Sequence, residues 1–270
     1  MATSPRRSDA EGRAPGLDRA IRAYWNERVH DTQLSDDPRG SPEFFAALDA
    51  YRLQKSDYLL RIVDFGAWAG RDVLEIGCGA GLDLVRFARG GARVTGVDVA
   101  QAAIELTRDN CRVAGASAAL LEADGACLPF PDSSFDLVYC LAVLSFARDP
   151  AGVVAEAHRV LRPGGEAIFM VYNRRSWMTL LLKVFGTRIG RGHADAPGFR
   201  TYSLEEFAGL LSAFAEKRFQ AERLPAASAR DGGIAGGLFN RMVVPVLRAL
   251  PDRWLRPYGW HLLAFCRKNA

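Results

Sequence analysis

The run from Val73 to Gly81, with the sequence VLEIGCGAG, constrains the fold of this 270-residue chain more than any other segment. Its first four residues predict a buried β-strand, and the three glycines that follow at every second position predict a tight loop. Glycine is needed where φ is positive or where a ligand must approach the main chain closely. An amphipathic helix is expected directly afterwards, so the segment predicts a strand–loop–helix unit at a ligand site.

The glycine spacing of this loop differs from the dinucleotide-binding pattern G-x-G-x-x-G. The third glycine is Gly81, and Leu82 stands where that pattern requires a glycine. The strand also carries Glu75 just before the loop, and a carboxylate there is a poor neighbour for a pyrophosphate. A positively charged nucleoside without phosphates suits this loop better.

Composition excludes several classes of protein. The net charge is only +4 and the basic residues are dispersed, whereas a nucleic-acid binder concentrates them on a stripe or in a known module. No run of 18 apolar residues predicts a membrane span, and the polar residues 1–15, predicted to be disordered, lack the apolar core of a signal peptide. The five cysteines form no C-x-x-C pair and the four histidines no metal-ligand spacing, so we expect a metal-free cytoplasmic protein.

The middle of the chain alternates strand and helix patterns, which predicts βαβ units and a parallel sheet. The predicted strands are Val73–Ile76, Arg93–Val97, Ala119–Glu122, Phe135–Cys140 and Glu166–Val171, and the predicted helices between them are Gly81–Arg89, Ala102–Val113 and Pro150–Leu161. Pro163, Gly164 and Gly165 are expected to stop the third helix and turn the chain into the next strand.

The flanks of this core predict further helices and two late strands. The predicted helices are Leu17–His30, Pro42–Phe65 and Ser203–Phe214, the last with a capping box of Ser203 and Glu206, and the strands are Lys217–Leu224 and Trp260–Cys266. The interpretation is one domain over residues 16–270, with a helical lid at 16–66, a core at 70–171 and acceptor-side segments with the last strands at 172–270.

Two more acids follow predicted strands. Asp98 ends the second strand and Asp124 follows the third. In a doubly wound sheet, ligands bind at the carboxyl ends of the strands, where Asp98 can accept both hydroxyls of a ribose and Asp124 an amine of a base. Asp98 alone can equally be a turn or helix-capping residue, and Asp124 alone is more often a turn residue. Together with Glu75 and the glycine loop, they predict a site for an adenosine without phosphates.

Six segments in a fixed order extend this pattern across residues 70–171. They are Leu74–Gly81, Gly96–Asp98 (GVD), Ala123–Gly125 (ADG), Leu128–Phe130 (LPF), Ser134–Val138 (SFDLV) and Arg159–Gly165 (RVLRPGG). In these motifs the chain resembles the class I S-adenosylmethionine (SAM)-dependent methyltransferases. The resemblance implies an α/β fold with a doubly wound, mostly parallel seven-stranded sheet whose last strand is antiparallel, and SAM as the cofactor.

The resemblance also implies which residues bind SAM. Glu75 and the backbone of Gly77 and Gly79 would hold the methionine part, with Cys78 between the two glycines included in the same set. The remaining implied roles are ribose binding by Asp98, packing on the adenine by Val99, contact with the adenine edge by Asp124 and Gly125, and lining of the pocket by Leu141.

The N-terminal helices and the segments after the fourth and fifth strands are implied to form the acceptor pocket. Tyr24, with Trp25, is predicted to cover the cofactor, the alternative being simple packing of a helix on the sheet. Arg52 is a candidate partner for the cofactor's carboxylate, the alternative being a solvated helix face. Tyr172, which directly follows the fifth strand, is a candidate catalytic residue.

His193, in a loop rich in glycine and arginine, is the candidate general base, and the alternative is a merely solvated histidine. His158 and His261 are predicted to be structural. Without an obvious base, the acceptor either needs little deprotonation or loses its proton to water.

The predicted function is in-line methyl transfer from SAM to a small or medium acceptor that is apolar or resembles a natural product. The apolar segment 234–250 is predicted to be a helical insertion before the last strand, which caps the core or lines a pocket for an apolar acceptor. One alternative function is an enzyme acting on a lipid or quinone, in which this segment has weak contact with a membrane surface. A second is a SAM-binding protein without catalysis, and a nicotinamide-dependent dehydrogenase is disfavoured by Glu75 and Leu82. No nucleic-acid partner is expected, and the sequence leaves the oligomeric state open.

Overall fold

The computed structural model of the protein describes residues 15–29, 32–177, 179, 195–223, 241–242, 245 and 252–270. Within these residues one seven-stranded sheet has the order β3-β2-β1-β4-β5-β7-β6. Its strands are β1 (Asp72–Ile76), β2 (Arg93–Asp98), β3 (Ala118–Glu122), β4 (Phe135–Leu141), β5 (Leu161–Tyr172), β6 (Glu216–Glu222) and β7 (His261–Arg267). Strands β1 to β5 are parallel and β7 is antiparallel to both of its neighbours, which confirms the predicted fold class.

Helices cover both faces of this sheet. They are α1 (Pro15–Glu27), α2 (Pro42–Lys55), α3 (Leu59–Ile62), α4 (Leu82–Arg89), α5 (Gln101–Ala114), α6 (Pro150–Val160), α7 (Leu204–Leu210) and α8 (Asp252–Leu255). Val153 of α6 and Phe207 of α7 belong to the core on one face, whereas Leu84 of α4 and Ile104 of α5 belong to the core on the other. The apolar residues of these helices therefore pack against the two faces of one sheet and form a core on each face.

The prediction of one continuous helix over Pro42–Phe65 is wrong. The structure divides it into α2 and α3, and the backbone N–H of Ser56 ends the first helix by donating to the Arg52 carbonyl at 2.8 Å. Ser41 caps the N-terminus of α2, because its hydroxyl accepts the Phe44 N–H at 3.1 Å. The break turns the Tyr58 side chain inward, where it is 1% exposed.

The expected turn at Pro163, Gly164 and Gly165 is also wrong in its position. Helix α6 already ends at Val160, and β5 begins at Leu161, so that the three residues lie inside the strand. A register shift between β4 and β5 accommodates them, and Gly164 has a φ of +75°. The residue before a proline is restricted to extended conformations, which explains why strand geometry starts before Pro163.

Several predictions fall outside the described residues. These are the tail of the first 14 residues, the candidate base His193, and all of segment 234–250 except positions 241, 242 and 245. Within the residues that are described, no helix combines the length and the apolar character needed to cross a bilayer. Pro15, predicted as the end of the tail, is the first residue of α1.

Candidate functional site

A cavity of about 290 Å³ lies at the carboxyl ends of the parallel strands, between the glycine loop and the helices α1 and α2. It brings together most of the residues that the sequence predicted for the site. The predicted residues in its wall are Arg52, Glu75, Gly77, Cys78, Gly79, Asp98, Val99, Asp124, Gly125, Leu141 and Tyr172. Residues from five different strand ends and one helix thus converge on one space, as expected for a doubly wound sheet.

The glycine loop after β1 needs glycine for both conformation and space. Gly77 has a φ of +76° and donates its N–H to the Val97 carbonyl at 2.7 Å. A Cβ at this position would lie 2.3 Å from Cγ2 of Val143, so that any other residue would displace the segment after β4. Gly79 also has a positive φ, +57°. The loop is therefore a turn that L side chains disfavour.

Helix α5 holds the carbonyl groups of the same loop. Thr107 donates its hydroxyl to the Gly79 carbonyl at 3.0 Å, and Asn110 donates its amide to the Ala80 carbonyl at 2.8 Å. Both side chains are buried, and no motif in the sequence marked them. Their spacing of three residues on one helix face is the signal that could have found them, since such residues are neighbours on a helix.

Asp98 is tied to the loop and to the start of α5. Its carboxylate accepts the Gly79 N–H and the Ala100 N–H, each at 3.0 Å. Burial raises the pKa of this carboxyl above its usual value, and the surrounding backbone N–H groups oppose that rise. An ionised carboxylate offers about four lone-pair sites, so Asp98 retains capacity to accept further hydrogen bonds from a ligand.

Glu75 is buried, and its Oε2 has no hydrogen-bond partner among the described residues. Burial raises its pKa well above the usual value, the neighbouring Asp83 charge raises it further, and the Arg52 charge opposes both. A buried carboxylate oxygen without a partner is costly unless a ligand satisfies it. SAM carries a positive ammonium and a positive sulfonium, so this orphaned oxygen in the cavity wall fits the cofactor that the motifs imply.

Arg52 lies in the cavity wall and is paired with Asp83, which is only 1% exposed. The Arg52 Nε donates to Asp83 Oδ1 at 3.1 Å, and the Tyr139 hydroxyl donates to Asp83 Oδ2 at 2.9 Å. The Arg52 side chain is therefore held by its ion pair with the buried Asp83 and does not lie on a solvated helix face. Its predicted contact with the carboxylate of the cofactor stays a prediction.

The loop after β3 approaches β1 closely. A Cβ at Gly125 would lie 2.8 Å from Cγ2 of Ile76, which explains the need for glycine there. Asp124 is exposed, and its carboxylate accepts the Ala126 N–H at 2.9 Å, so the loop is closed by its own side chain. The same aspartate thus serves both as a turn residue and as part of the cavity wall.

Helix α1 closes one side of the cavity. Arg22 donates to the Val99 carbonyl at 3.2 Å and pairs with Glu122 at 2.9 Å, while Asp18 pairs with Arg148 at 2.7 Å. The described residues in the cavity wall include Trp25 but not Tyr24, whose hydroxyl instead donates to Asp195 at 2.9 Å. Of the two aromatic residues predicted to cover the cofactor, Trp25 therefore lies in the cavity wall and Tyr24 does not.

Aromatic rings form the side of the cavity farther along the sheet, after β4 and β5. Trp25 meets Phe146 edge-on at 5.1 Å between ring centroids, and Phe146 meets Tyr172 in the same way at 5.9 Å. Tyr172 in turn stacks at 4.9 Å and 27° on Trp260, which lies outside the cavity wall and supports the tyrosine ring. This arrangement suits a flat apolar ligand, because aromatic rings prefer offset-stacked and edge-on contacts.

His261 and Tyr58 also line the cavity, although the sequence predicted a structural histidine and singled out no role for the tyrosine. The His261 Nδ1 lies 2.5 Å from the Tyr58 hydroxyl. His261 reaches the site only because β7 pairs with β5 in a register that sets it beside Tyr172. No local pattern in the sequence encodes that register, which is why this pair was missed.

Comparisons with known proteins agree with this geometry. Residues 74–169 match a family described as a methyltransferase domain. The chain is 30% identical over 169 residues to the ubiquinone biosynthesis O-methyltransferase of Methylococcus capsulatus, over 60% of this chain and 68% of that protein. It is 36% identical over 104 residues to the demethylmenaquinone methyltransferase of Tropheryma whipplei, over 38% of this chain and 42% of that protein.

Solved structures of low sequence identity share the fold. A protein from Pyrococcus horikoshii has a TM-score of 0.58 at 16% identity, over 92% of this chain and 99% of that chain. A SAM-dependent methyltransferase from Aquifex aeolicus has a TM-score of 0.53 at 17% identity, over 84% and 98%. The curated relatives are matched over only 42–68% of their own length, so their substrates do not transfer directly.

Proposed function

Because the chain belongs to the class I SAM-dependent methyltransferases, we propose that it transfers the methyl group of SAM to a small, largely apolar acceptor. The observation that carries this proposal is a single cavity with two unlike halves. Carboxylates at strand ends form one half, and aromatic rings form the other. A charged nucleoside and a flat apolar molecule could therefore bind side by side in this cavity.

The carboxylate half is assigned to SAM. Glu75 offers a buried oxygen without a partner to the positively charged amino-acid part, while Asp98 has spare acceptor capacity for the ribose. Asp124 and Gly125 are assigned to the adenine edge, following the family motif. When bound, SAM supplies an electrophilic methyl group on a positive sulfonium, and the protein has to hold it in a fixed orientation away from water.

The aromatic half is assigned to the acceptor. Trp25, Phe146 and Tyr172 restrict the acceptor to one plane and exclude water from the reacting atoms. Positioning of this kind lowers a barrier by roughly 7–11 kcal/mol in favourable cases, so the chain needs few reactive groups. Tyr172 acts here by orienting the acceptor through its ring.

The names of the curated relatives make quinone precursors the first acceptors to test. A lipid-like acceptor would add contact with a membrane surface, for which the apolar segment 234–250 is the candidate. Co-sedimentation with anionic liposomes tests that version. A protein that stays in the supernatant would remove the membrane contact and leave the methyl transfer unaffected.

Calorimetric titration with SAM, followed by a screen of acceptor classes for release of S-adenosylhomocysteine, tests the function. We expect SAM to bind and one acceptor class to gain the mass of one methyl group. Absence of SAM binding would refute the proposal. Binding of SAM without transfer to any acceptor would favour the non-catalytic alternative instead.

A further inference from the structure

We propose that Asp83 is a positioning residue of the cofactor site, which holds the Arg52 guanidinium in place to bind the carboxylate of SAM. The inference rests on the proposed methyl transfer and adds to it the reason why this site selects a cofactor with an α-amino-acid group. Asp83 is the second residue of α4 and is 1% exposed. No motif in the sequence and no comparison assigns it a role.

Three side chains from three elements surround the Asp83 carboxylate. They are Arg52 of α2, Arg86 on the next turn of α4, and Tyr139 of β4. A buried carboxylate is costly unless such partners replace its water, and the start of a helix adds a favourable dipole. Asp83 is therefore fixed in its position before any ligand binds.

These contacts use both oxygens of Asp83. Oδ1 accepts from Arg52 Nε at 3.1 Å and from Arg86 Nη1 at 3.2 Å. Oδ2 accepts from the Tyr139 hydroxyl at 2.9 Å and from Arg52 Nη2. Because a carboxylate has about four lone-pair sites, no site is left for a ligand. Although Asp83 lies in the cavity wall, it therefore acts on a ligand through Arg52.

Asp83 occupies one edge of the Arg52 guanidinium and leaves the other edge unused. One N–H on Nε and one on Nη2 donate to Asp83, whereas Nη1 has no hydrogen-bond partner among the described residues. The edge formed by Nη1 and Nη2 has the fork geometry that binds a second carboxylate through two hydrogen bonds. Since Arg52 lines the cavity, this edge is the one that a ligand can use.

The protonation states of the two groups that hold Asp83 in the core are fixed. Burial by itself would lower the pKa of the Arg52 guanidinium, but the Asp83 charge outweighs burial and raises that pKa above its ordinary value. Burial and the Asp83 charge also raise the pKa of Tyr139 well above its usual value, so its hydroxyl remains a donor. The position of Arg52 is therefore the same across the ordinary pH range.

Glu75 and Arg52 together match the two charges of an α-amino-acid group. Glu75 offers a buried oxygen without a partner, and Arg52 offers its unused donor edge. The two side chains are close enough for the charge of each to shift the pKa of the other. An ammonium and a carboxylate on one carbon atom need an acceptor and a donor side by side, and Asp83 sets the position of the donor.

The alternative role for Asp83 is to join α4 to α2. Asp49 of α2 joins the same two helices, because its carboxylate accepts from Arg86 Nη2 at 2.5 Å. Asp49 does not contact Arg52, and its side chain is 39% exposed. Asp49→Asn is therefore the matched control, since it loosens the connection between the helices and leaves the contacts of Arg52 in place.

Calorimetry with two ligands separates these roles without any turnover. S-Adenosylhomocysteine carries the α-amino-acid group, whereas methylthioadenosine lacks it and keeps the nucleoside and the sulfur. Asp83→Asn should raise the Kd of the first about twofold to tenfold, the cost of ordering an Arg52 that is no longer held, and leave the second within about twofold. Asp49→Asn should change neither Kd. Equal losses for both ligands, equal losses in both variants, or no loss in Asp83→Asn overturns the proposal.

A third ligand identifies the charge that Asp83 serves. S-Adenosylthiopropylamine is S-adenosylhomocysteine without its carboxylate, and it keeps the ammonium. Arg52→Gln should weaken S-adenosylhomocysteine about tenfold to a hundredfold, because it removes a hydrogen bond between charged groups, and the amine at most about twofold. If Asp83→Asn weakens the amine as much as S-adenosylhomocysteine, Asp83 binds the ammonium itself and the proposal is overturned.

A double variant tests whether Asp83 acts through Arg52. The effects of independent residues add, whereas the effects of residues that act on one interaction do not. Asp83→Asn combined with Arg52→Gln should therefore bind S-adenosylhomocysteine within about twofold of Arg52→Gln alone. Additive losses in the double variant overturn the proposal.

Arg52→Lys provides a second variant should Asp83→Asn fail to fold, since removing one partner of a buried ion pair is strongly destabilising. Lysine keeps the charge beside Asp83, but its single ammonium presents no fixed fork to a second carboxylate. Arg52→Lys should weaken S-adenosylhomocysteine about tenfold and leave methylthioadenosine unchanged, and wild-type affinity for both overturns the proposal.

The wild-type protein separates failure of this inference from failure of the proposed function. Equal affinities of the wild type for S-adenosylhomocysteine and S-adenosylthiopropylamine would show that the carboxylate is not recognised, which overturns the inference while the methyltransferase assignment stands. Failure of the wild type to bind SAM or S-adenosylhomocysteine would instead contradict the proposed function itself.

Discussion

The Asp98 carboxylate accepts the Gly79 backbone N–H at 3.0 Å, so the end of β2 holds the loop that follows β1. The same carboxylate accepts the Ala100 N–H at the start of α5. One side chain therefore fixes two of the segments that surround the cofactor half of the cavity. The loop is in place before any ligand arrives, and the ligand does not have to order it.

Replacement of Asp98 should weaken SAM binding through both of its tasks. Asp98→Ala removes the acceptor of the Gly79 N–H and the group assigned to the ribose. Hydrogen bonds to a charged group contribute about 1.5–3 kcal/mol each, so we expect the Kd for SAM to rise at least roughly tenfold to a hundredfold. Calorimetry measures the change, with Asp109→Ala on α5 as the control, because Asp109 is half-buried, pairs with Arg112 and lies outside the cavity wall. Equal affinities for Asp98→Ala and the wild type would contradict the cofactor assignment.

Glu75→Gln should stabilise the protein without ligand and weaken its binding of SAM. The folded-state pKa of Glu75 is raised above the ordinary value of 4.5. Its contribution to stability is therefore fully present below that ordinary value and is lost as the pH rises through the raised one. The glutamine has no such loss, so the Tm of Glu75→Gln minus that of the wild type should grow with pH across this window.

Thermal unfolding at several pH values, with and without SAM, checks this prediction. Glu166→Gln is the control, because it changes an exposed glutamate on β5. A variant whose Tm follows that of the wild type at every pH would show that the buried carboxylate carries no such penalty. An undiminished rise in Tm on adding SAM would show that Glu75 does not contact the cofactor.

Gly77→Ala should remove SAM binding more than it lowers stability. The new Cβ would meet Cγ2 of Val143 at 2.3 Å, and the φ of +76° strains any L residue. Gly164→Ala is a matched control, since its φ is +75° and no atom lies within 4 Å of the added carbon. Both should lose about 1–2 kcal/mol of stability from backbone strain. Only Gly77→Ala should lose SAM binding, and Val143→Ala should partly restore it.

Arg22→Gln should speed the dissociation of SAM. Arg22 connects α1 to Val99 and to Glu122, and its side chain is 41% exposed. Exposed ion pairs contribute about 0.2–1 kcal/mol, so the dissociation rate should rise up to about fivefold and more at low salt than at high salt. Stopped-flow displacement measures the rate, and Arg19→Gln on an exposed position of the same helix is the control. Equal rates for the two variants would exclude α1 as the lid.

The carboxylate half of the cavity could be predicted because its residues lie at or directly after the ends of strands. Glu75, Asp98 and Asp124 each stand at the end of a strand that its own local sequence predicts, and parallel strands bring these ends to one edge. The bounds of β1 and β2 were predicted to within one residue. Short-range patterns therefore suffice for a cavity wall that is formed by strand ends and by the loops next to them.

The acceptor half could not be predicted in the same way, because its residues are set by long-range pairing. His261 depends on the register of β7 against β5, and Tyr58 depends on the break between α2 and α3. Trp25 rather than Tyr24 lies in the cavity wall because of the orientation in which α1 packs on the rest of the protein. The apolar periodicity of the helix alone does not determine that orientation. The sequence shows that these four residues are aromatic or titratable, but it does not show which of them come into contact.

Thr107 and Asn110 of α5 donate hydrogen bonds to carbonyl groups of the glycine loop. We therefore expect binding of SAM to stabilise α5 as well as the loop. Neither the loop nor these two side chains can open without losing buried hydrogen bonds, so the loop and the helix share one local unfolding event. A ligand that keeps the loop closed then lowers the population of that open state. Amide hydrogens on the far turns of α5, which lie outside the cavity wall, should consequently exchange more slowly with deuterium when SAM is bound.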